Sequence, residues 1–344
     1  MNESENAVIL LTDRFSFGGL ENYLLFVRQM CQEEDLKCFL VSIQKSDNEA
    51  VYSLSDGEFL NLRLPIYAQS LARLFRNFRP AVVHAQSYYS LILSSLMKGV
   101  FGYRSVCTLH NPLSVTERQG LLGRLLPFFL TPDLLISPSQ EVLGETLNRF
   151  KIRAKERMVI HNWVDTDKFS LCEKKDKHKI LFLGRLDQQK KIEMLPRIVR
   201  DLRVDMPQIE LNVCGVGPMA YILHGIDGIV YHGMVDEGTL VKMVQRSAVV
   251  VLPTNFEAMP LAILEALACG TPVVASPVGG IREIGRSSYG CFLAEDEEFP
   301  DVVRRILSEN IDYARIHSEA VRNFSYKRGK EQMIRVYRHL LDAA

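Results

Sequence analysis

Long hydrophobic runs are missing from this sequence. Hydrophobic residues make up 47% and charged residues 24% of its 344 residues, which is typical of globular proteins. The apolar runs are short, as in Val8–Leu11 and Val249–Leu252, whereas a membrane-spanning helix needs about 20 apolar residues. The first residues, MNESENAVILL, are polar and acidic and lack the basic region of a secretory signal. We therefore expect a cytoplasmic protein, and the length predicts two domains.

Paired cysteines and metal-binding spacings are also missing. The seven cysteines are scattered without a C-x-x-C pair, and an odd number cannot all form internal disulfides. This pattern favours a reducing compartment over a disulfide scaffold. Neither a zinc spacing nor a Ser/His/Asp triad is recognisable.

The sequence has no excess of positive or negative charge overall, but the two signs are unevenly distributed along it. The formal net charge is zero. Residues 1–59 hold four basic and eleven acidic residues, a net charge of −7, and residues 60–130 hold eight basic residues and one acid, a net charge of +7. Nucleic acid is not an expected partner, because the pI is about 7.1 and the arginines lie in no recognisable nucleic-acid-binding motif.

The basic region, residues 60–130, has two possible explanations. Arg73, Arg76 and Arg79 recur every three residues, close to one helical face. Farther on, Arg118 and Arg124 flank leucines ahead of the apolar run Leu125–Leu130. These features suit a peripheral enzyme on an anionic membrane surface, at the inner face of the membrane. They suit equally a protein in which the apolar run is core and the arginines are merely solvated.

Short apolar strands alternate with helical segments along most of the chain. This alternation predicts an α/β fold with two doubly wound parallel sheets. A lysine-rich stretch, Cys172–Lys179, interrupts the pattern and is predicted to be a linker. The predicted domains are residues 1–170 and 178–322, and residues 323–344 form a final segment that includes a basic amphipathic helix over Tyr326–Leu341. Ligands of such sheets bind beyond the carboxyl ends of the strands.

The segment FEAMPLAILEALACGTPVVAS, residues 256–276, is the most informative part of the chain. Glu257 is predicted to lie in a loop before Pro260, and Glu265 within the helix that follows. Gly270 is predicted to end the helix ahead of an apolar strand. The amides and dipole of a helix N-terminus suit an anion, and carboxylates accept hydrogen bonds from sugar hydroxyls. A ligand with both phosphate and hydroxyl groups is therefore expected.

This segment resembles the signature of glycosyltransferase family 4, whose members are retaining enzymes of the GT-B fold that use nucleotide-sugar donors. Further resemblances follow in the family's order: FGGLENYL (17–24), VVHAQS (82–87), HNWVDTDKF (161–169), LGRLDQQKK (183–191), CGVGP (214–218) and YHGMV (231–235). The resemblance implies a nucleotide-sugar-binding second domain, an acceptor-side first domain and a final helix that crosses back to the first domain. It also implies hexose transfer from a UDP-sugar, favoured over a GDP-sugar, to a sugar or lipid-linked acceptor in polysaccharide or glycolipid synthesis.

The resemblance assigns roles to residues of the second domain. Arg185 and Lys190 would hold the donor diphosphate and stabilise it as a leaving group, which would make the reaction independent of a metal. Arginine forks onto phosphate oxygens, and lysine acts as a point charge. Glu265 would accept hydrogen bonds from the ribose hydroxyls, and Glu257 would contact the transferred sugar.

Two sites in the first domain also match the family. Gly18 and Gly19 lie between the first predicted strand and helix and would let the backbone approach the donor. His110 follows a predicted strand and would orient the donor sugar. His84 and His161 are predicted to be structural.

Two fragments favour other functions. The run Asp165-Thr166-Asp167 looks like the metal-binding D-x-D of a different glycosyltransferase fold, but its place in HNWVDTDKF favours turn chemistry. The run Gly215–Ala220 fits a G-x-G-x-x-A dinucleotide fingerprint, with Asp236 and Glu237 at about the expected distance. The second fragment leaves an NAD-dependent oxidoreductase as an alternative. A sugar-nucleotide epimerase, which can share the same fold, and a binding-only relative remain as further alternatives.

Overall fold

The computed structural model describes residues 7–15, 19–55, 64–110, 130–150 and 152–342. The chain divides into two compact units. Unit 1 comprises Met1–His161 and Gly329–Ala344, and unit 2 comprises Asn162–Arg328. Each unit is built on one parallel sheet, with an α-helix in most of the described connections between successive strands, so the predicted α/β architecture is confirmed.

The sheet of unit 1 has seven parallel strands in the order β3-β2-β1-β4-β5-β6-β7. Their bounds are β1 Ala7–Thr12, β2 Cys38–Ser42, β3 Val51–Ser53, β4 Pro80–Ala85, β5 Arg104–Thr108, β6 Leu134–Ser137 and β7 Glu156–Val159. The described helices that precede or follow them are α1 Gly19–Glu33, α2 Leu64–Phe78, α3 Tyr88–Phe101 and α4 Gln140–Phe150. Every residue of β1 is buried, as expected of a central strand covered on both faces.

The sheet of unit 2 has six parallel strands in the order β10-β9-β8-β11-β12-β13. Their bounds are β8 Asp176–Leu183, β9 Glu210–Cys214, β10 Ile229–Gly233, β11 Ser247–Leu252, β12 Val273–Ala275 and β13 Cys291–Leu293. The described α-helices of this unit are α5 Met194–Arg203, α6 Glu237–Arg246, α7 Leu261–Ala268, α8 Gly280–Ser287, α9 Phe299–Ser308 and α10 Tyr313–Phe324. A last helix, α11 Tyr326–Asp342, begins in unit 2 and continues into unit 1. None of the helices that the structure describes has the length and apolar character that crossing a bilayer demands.

The prediction of a linker over Cys172–Lys179 is wrong for its second half. Residues 176–179 of the lysine-rich stretch form the first half of β8, and Lys179 pairs with Glu210 of β9. The side chains of this half are largely exposed, whereas Ile180–Leu183 are buried. Because the polar half of the strand is held by backbone pairing without an apolar face, hydrophobic pattern alone could not reveal it.

The final helix, α11, belongs to unit 1 from Gly329 onward. The Tyr337 hydroxyl lies 2.7 Å from Nδ1 of His84, and Nε2 of the same ring lies 2.8 Å from Oγ1 of Thr108. Outside this buried cluster, Lys330 of α11 forms ion pairs of 2.9 Å with Glu33 and Glu34. The structural role predicted for His84 is confirmed, because burial lowers its pKa to about 3 and keeps the ring neutral.

We expect Tyr337→Phe to lower the free energy of unfolding by about 1–3 kcal/mol, because it leaves a fully buried ring nitrogen of His84 without a partner. Urea denaturation would measure the change. Tyr52→Phe is the matched control, since Tyr52 is 46% exposed and exposed substitutions usually stay within about 0.5 kcal/mol. Equal stability of the Tyr337→Phe variant and the parent protein would show that the hydroxyl does not secure α11.

Candidate active site

Each sheet has one point at which the strand order reverses, and most of the described candidate site residues follow strands at or beside that point. In unit 2 this point is between β8 and β11, and in unit 1 it is between β1 and β4. Connections on the two sides of a reversal run to opposite faces of the sheet and leave a crevice at the carboxyl ends of the strands. In unit 2, Arg185 and Lys190 follow β8, and Glu257 follows β11. In unit 1, His110 follows β5, the strand next to β4.

Arg185 lies in the loop that follows β8. Asp187 begins a single 3-10 turn, Gln188–Lys190, and its carboxylate accepts a hydrogen bond from the Lys190 amide. The Arg185 guanidinium lies 3.2 Å from Asp187 and 3.3 Å from Oε1 of Gln189. Its side chain remains 68% exposed, so most of its donors face solvent and are available to an anion.

Lys190 and Glu257 form a buried ion pair in unit 2. The Lys190 ammonium donates to Oε1 of Glu257, and both side chains are only 11% exposed. The hydroxyl of Thr254 lies 3.4 Å from the same oxygen. The sequence predicted both residues as site members, and the structure brings them into direct contact.

The loop that carries Glu257 is fixed by close backbone contacts. The Gln189 side chain donates to the Phe256 carbonyl at 2.8 Å, and the Asn255 amide donates to the Gln189 carbonyl at 2.8 Å. Gly279 packs against the loop from the other side with a φ of +48°, and a Cβ there would lie 2.0 Å from the Glu257 carbonyl oxygen. Only glycine fits this conformation and contact, so the position of Glu257 is set before any ligand binds.

Glu265 lies on α7, as predicted, with Pro260 immediately before the helix and Gly270 beyond its end at a φ of +71°. Its side chain is half-buried, and within the described ranges no protein group donates to its carboxylate. Burial raises the pKa of Glu265 to about 7, the negative charge of Glu237 raises it further, and Lys168 opposes the shift. A partly desolvated acceptor without a protein donor is suited to a ligand hydroxyl.

His110 lies two residues beyond β5 in unit 1, where its Nε2 is 2.9 Å from Oε1 of Gln86. The ring packs edge-on against Tyr23, with 4.6 Å between the ring centroids. Burial lowers the pKa of His110 to about 4, so the ring is neutral at physiological pH. With the Nε2 proton donated to Gln86, Nδ1 is an acceptor without a partner in the described part of the chain.

The comparison with protein families covers both units. A model described as Glycosyltransferase Family 4 matches residues 17–168, and one described as Glycosyl transferases group 1 matches residues 177–309. The chain belongs to the family 4, group 1 glycosyltransferases. The resemblance to glycosyltransferase family 4 seen in the sequence motifs is confirmed.

Curated relatives match this family member over part of their length. An uncharacterised glycosyltransferase of Methanocaldococcus jannaschii is 36% identical over 171 residues, which is 44% of this chain and 44% of the relative. One component of human phosphatidylinositol N-acetylglucosaminyltransferase is 24% identical over 306 residues, 80% of this chain and 63% of the relative. The chain thus covers less than two thirds of the length of either relative.

Solved structures resemble this glycosyltransferase family member over nearly its full length. Sucrose-phosphate synthase from Thermosynechococcus elongatus has a TM-score of 0.83 at 18% identity, covering 99% of this chain and 100% of that one. Anabaena HepE, in complex with UDP and glucose, has a TM-score of 0.78 at 15% identity, covering 96% and 99%. At such identities the likeness concerns the fold alone, and it confirms the predicted GT-B class.

Asp13 and Gln86 are further candidate site residues of unit 1 that the sequence reasoning did not assign. Asp13 follows β1, and its carboxylate accepts from the Ser90 amide at 2.8 Å, at the start of α3. Burial raises the pKa of Asp13 to about 6, while hydrogen bonds from Ser87 and Ser90 oppose the shift. The available signal was positional, because both residues directly follow central strands of a predicted parallel sheet.

The glycine loop is only partly described. Gly19 is the first residue of α1, and Gly18 lies outside the described residues, as do Arg118, Arg124 and nearly all of Leu125–Leu130. Leu130, the last residue of that run, is buried. The predicted donor-binding role of the two glycines stays a prediction.

The two competing motifs have structural explanations in this glycosyltransferase family member. The Asp165 carboxylate accepts from the amides of Asp167 and Lys168, both at 3.1 Å, which confirms the predicted turn chemistry. A Cβ at Gly217 would lie 2.3 Å from the Leu186 carbonyl oxygen, so this glycine allows two loops to pack closely. A four-residue 3-10 turn, Ala220–Leu223, follows in place of the α-helix that a dinucleotide fingerprint opens.

Proposed function

We propose that this protein is a retaining glycosyltransferase that moves a hexose from a UDP-sugar to an acceptor hydroxyl without a metal ion. The observation that carries the proposal is the cluster of Arg185, Lys190 and Glu257 at the reversal point of the unit 2 sheet. It places an exposed guanidinium and a buried ammonium near a fixed carboxylate, the groups that a diphosphate and a sugar need.

The donor diphosphate would take its charge partners from Arg185 and Lys190. Arg185 is free to fork onto phosphate oxygens, since it keeps most of its donors in solvent. Lys190 would share its ammonium between Glu257 and a phosphate oxygen, and the negative charge that grows on the leaving diphosphate would strengthen that contact. Such a contact acts on the transition state and raises turnover.

The transfer would proceed on one face of the sugar. The bond between the anomeric carbon and the diphosphate oxygen breaks, and the acceptor oxygen bonds to the same carbon. The acceptor proton passes to an oxygen of the leaving diphosphate, so the product is UDP and the anomeric configuration is retained. Glu257 would position the sugar and stabilise positive charge at the ring, and no covalent intermediate on the protein is required.

The remaining predicted residues would orient the donor. Glu265 would accept hydrogen bonds from the ribose hydroxyls, which a half-buried carboxylate without a protein donor can do. Nδ1 of His110 would accept from a hydroxyl of the sugar, because burial keeps the ring neutral and Gln86 takes its other nitrogen. UDP is the proposed nucleotide, since HepE, of the same fold, was solved with UDP and glucose.

The acceptor would be a sugar or a lipid-linked sugar in polysaccharide or glycolipid synthesis. This proposed acceptor is supported by the family and by the human relative, whose name describes N-acetylglucosamine transfer to phosphatidylinositol. An epimerase of the same fold would consume or convert a UDP-sugar without any acceptor, and this difference separates the two functions.

Thermal unfolding with added nucleotides tests the donor. We expect UDP to raise the melting temperature by several degrees in the presence of EDTA, and GDP and uridine to raise it less. Ligand at about 100 times Kd adds about 2.7 kcal/mol to the native state. About 2–4 °C accompany each kcal/mol in a folding unit of about 150–250 residues, a range that includes unit 2. A shift by UDP that requires magnesium or manganese would contradict metal independence, and conversion of a UDP-sugar without acceptor would favour the epimerase.

A further inference from the structure

A groove lies at the amino edge of the unit 1 sheet, opposite the edge that carries Gln86. It is lined by Phe75, Arg76, Arg79, Pro80 and Phe101 and has a volume of about 510 Å³. The lining comes from the last turn of α2, the start of β4 and the last residue of α3. We call it the Arg76–Arg79 groove, and the proposed transfer reaction does not use it.

The arginines of this surface have no acidic partner in the part of the chain that the structure describes. Arg73, Arg76 and Arg79 are all exposed, and no carboxylate in the described ranges forms an ion pair or hydrogen bond with any of them. By contrast, Lys98 of α3 is paired with Asp133 at 2.6 Å. Three guanidinium groups on one helix and its end therefore have donors that no described carboxylate uses and that an anion can bind.

Arg79 has a backbone conformation that glycine would adopt with less strain. Arg79 has a φ of +43° and its amide donates to the Phe75 carbonyl at 2.8 Å, so it ends α2 in the left-handed conformation. Glycine is the usual residue at this position of a helix end, and the following Pro80 adds a further restriction. The helix dipole favours a cation in the last turn, which accounts for Arg76, but it does not account for an arginine in place of glycine.

Exposed apolar side chains lie beside the groove on α3. Val100 is 74% exposed and Leu96 is 55% exposed, one turn apart on the same helix. Val100 directly precedes Phe101 of the groove lining. Beneath this surface, Leu71 and Phe75 of α2 and Leu93 of α3 share one buried cluster, so the two helices present a fixed surface.

We propose that this surface docks unit 1 on an anionic phospholipid bilayer. Headgroup phosphates would bind at Arg76 and Arg79, with Arg73 beside them, while Leu96 and Val100 enter the interfacial layer. Cations next to exposed apolar side chains are the combination that holds a protein at such an interface. Because the groove lies at the amino edge of the sheet, docking leaves Gln86 and His110 at the carboxyl edge accessible.

Co-sedimentation with vesicles tests the proposal on the full chain. We expect binding to vesicles of 30% phosphatidylglycerol in phosphatidylcholine, weaker binding as salt is raised, and little binding to pure phosphatidylcholine. The variant Arg76→Ala/Arg79→Gly should bind about 30-fold more weakly, which corresponds to about 2 kcal/mol at 1.4 kcal/mol per tenfold. Its melting temperature should be unchanged or higher, because glycine relieves the left-handed position.

A matched control removes the same charge elsewhere. Arg246 and Arg286 are exposed on unit 2 and have no partner in the described chain, so Arg246→Ala/Arg286→Ala should bind vesicles like the parent protein. The variant Leu96→Ser/Val100→Ser should bind about tenfold more weakly while retaining the salt dependence. UDP-induced stabilisation should be the same in all three variants, which separates this test from that of the donor site.

Several results would overturn the proposal. Absence of binding to phosphatidylglycerol vesicles at low salt would point to an acidic protein partner. If Arg246→Ala/Arg286→Ala lost as much vesicle binding as Arg76→Ala/Arg79→Gly, the loss would be explained by the change in net charge alone. Competition for vesicle binding by inorganic phosphate at constant ionic strength would identify a site for free phosphate. Equal binding to vesicles with and without phosphatidylglycerol would show that the arginines do not bind headgroup phosphates.

Discussion

Lys190→Ala is expected to abolish most of the turnover and also to destabilise the protein. Removing one partner of a buried ion pair leaves an uncompensated charge, here on Glu257, and costs about 3–5 kcal/mol. Removing a group that stabilises charge in the transition state lowers turnover by about 10²–10³-fold. Urea denaturation and donor-saturated kinetics at a temperature where the variant is folded would measure the two effects separately.

A double variant separates stability from chemistry. Lys190→Met/Glu257→Gln replaces both charges with groups of similar shape, and such replacements are often neutral for stability. We expect it to recover most of the lost stability and none of the turnover. Arg185→Ala should cut turnover without destabilising the protein, because its side chain is mostly in solvent.

Lys191→Ala is the matched control for the lysine. Lys191 is the neighbouring residue and pairs at 2.7 Å with Asp296, whose side chain is 37% exposed, so the loss should be about 1 kcal/mol or less. Its turnover should stay that of the parent protein. If the double variant regained activity with its stability, Lys190 would have only a structural role.

Glu265→Gln is expected to weaken UDP binding while making the ligand-free protein more stable. The carboxylate would lose charge-assisted hydrogen bonds to the ribose, which are worth about 1.5–3 kcal/mol, or roughly 10–150-fold in Kd. Titration calorimetry with UDP would measure this. Glu257→Ala should reduce UDP affinity less, because Glu257 would contact only the transferred sugar, and equal losses in the two variants would contradict the assignment.

The stability effect depends on pH, and its direction follows from the raised pKa of Glu265. The folded value is about 7 and the ordinary value is 4.5, so the folded protein binds more protons than the unfolded chain between these limits. Stability therefore falls as pH rises through this window, and the cost of the buried charge is complete above pH 7. Glu265→Gln should raise the free energy of unfolding by about 1–3 kcal/mol at pH 8 and change it little near pH 4.5. A constant difference at both pH values would show that burial does not control this carboxyl.

The sequence predicted the strands and the loops that carry the site because both follow from local patterns. Glu265 lies within a helix that follows Pro260, and Gly270 ends that helix, both as predicted. Parallel topology then brings the ends of central strands together, so residues that follow those strands become neighbours. Glu257 and Glu265 were nominated from their places before and within a predicted helix, whereas Arg185 and His110 also needed the resemblance to glycosyltransferase family 4.

Contacts between distant residues could not be predicted in the same way. The pairing of Lys190 with Glu257 joins residues 67 apart in the chain and depends on how two loops pack. Asp13 was missed because its hydrogen bonds go to the start of α3, 77 residues away. The first half of β8 was missed because it is held by backbone pairing and has no buried face.

The return of α11 to unit 1 determines the order in which the units can be completed during synthesis. A ribosome releases all of unit 2 before it reaches Tyr337, the residue that closes the buried contact with His84. Domains generally fold as units while the chain emerges, so the second unit to be synthesised is the first that can be finished. Until α11 emerges, the sheet of unit 1 lacks that helix. A truncation or substitution in α11 therefore destabilises unit 1, although most of unit 1 is synthesised first.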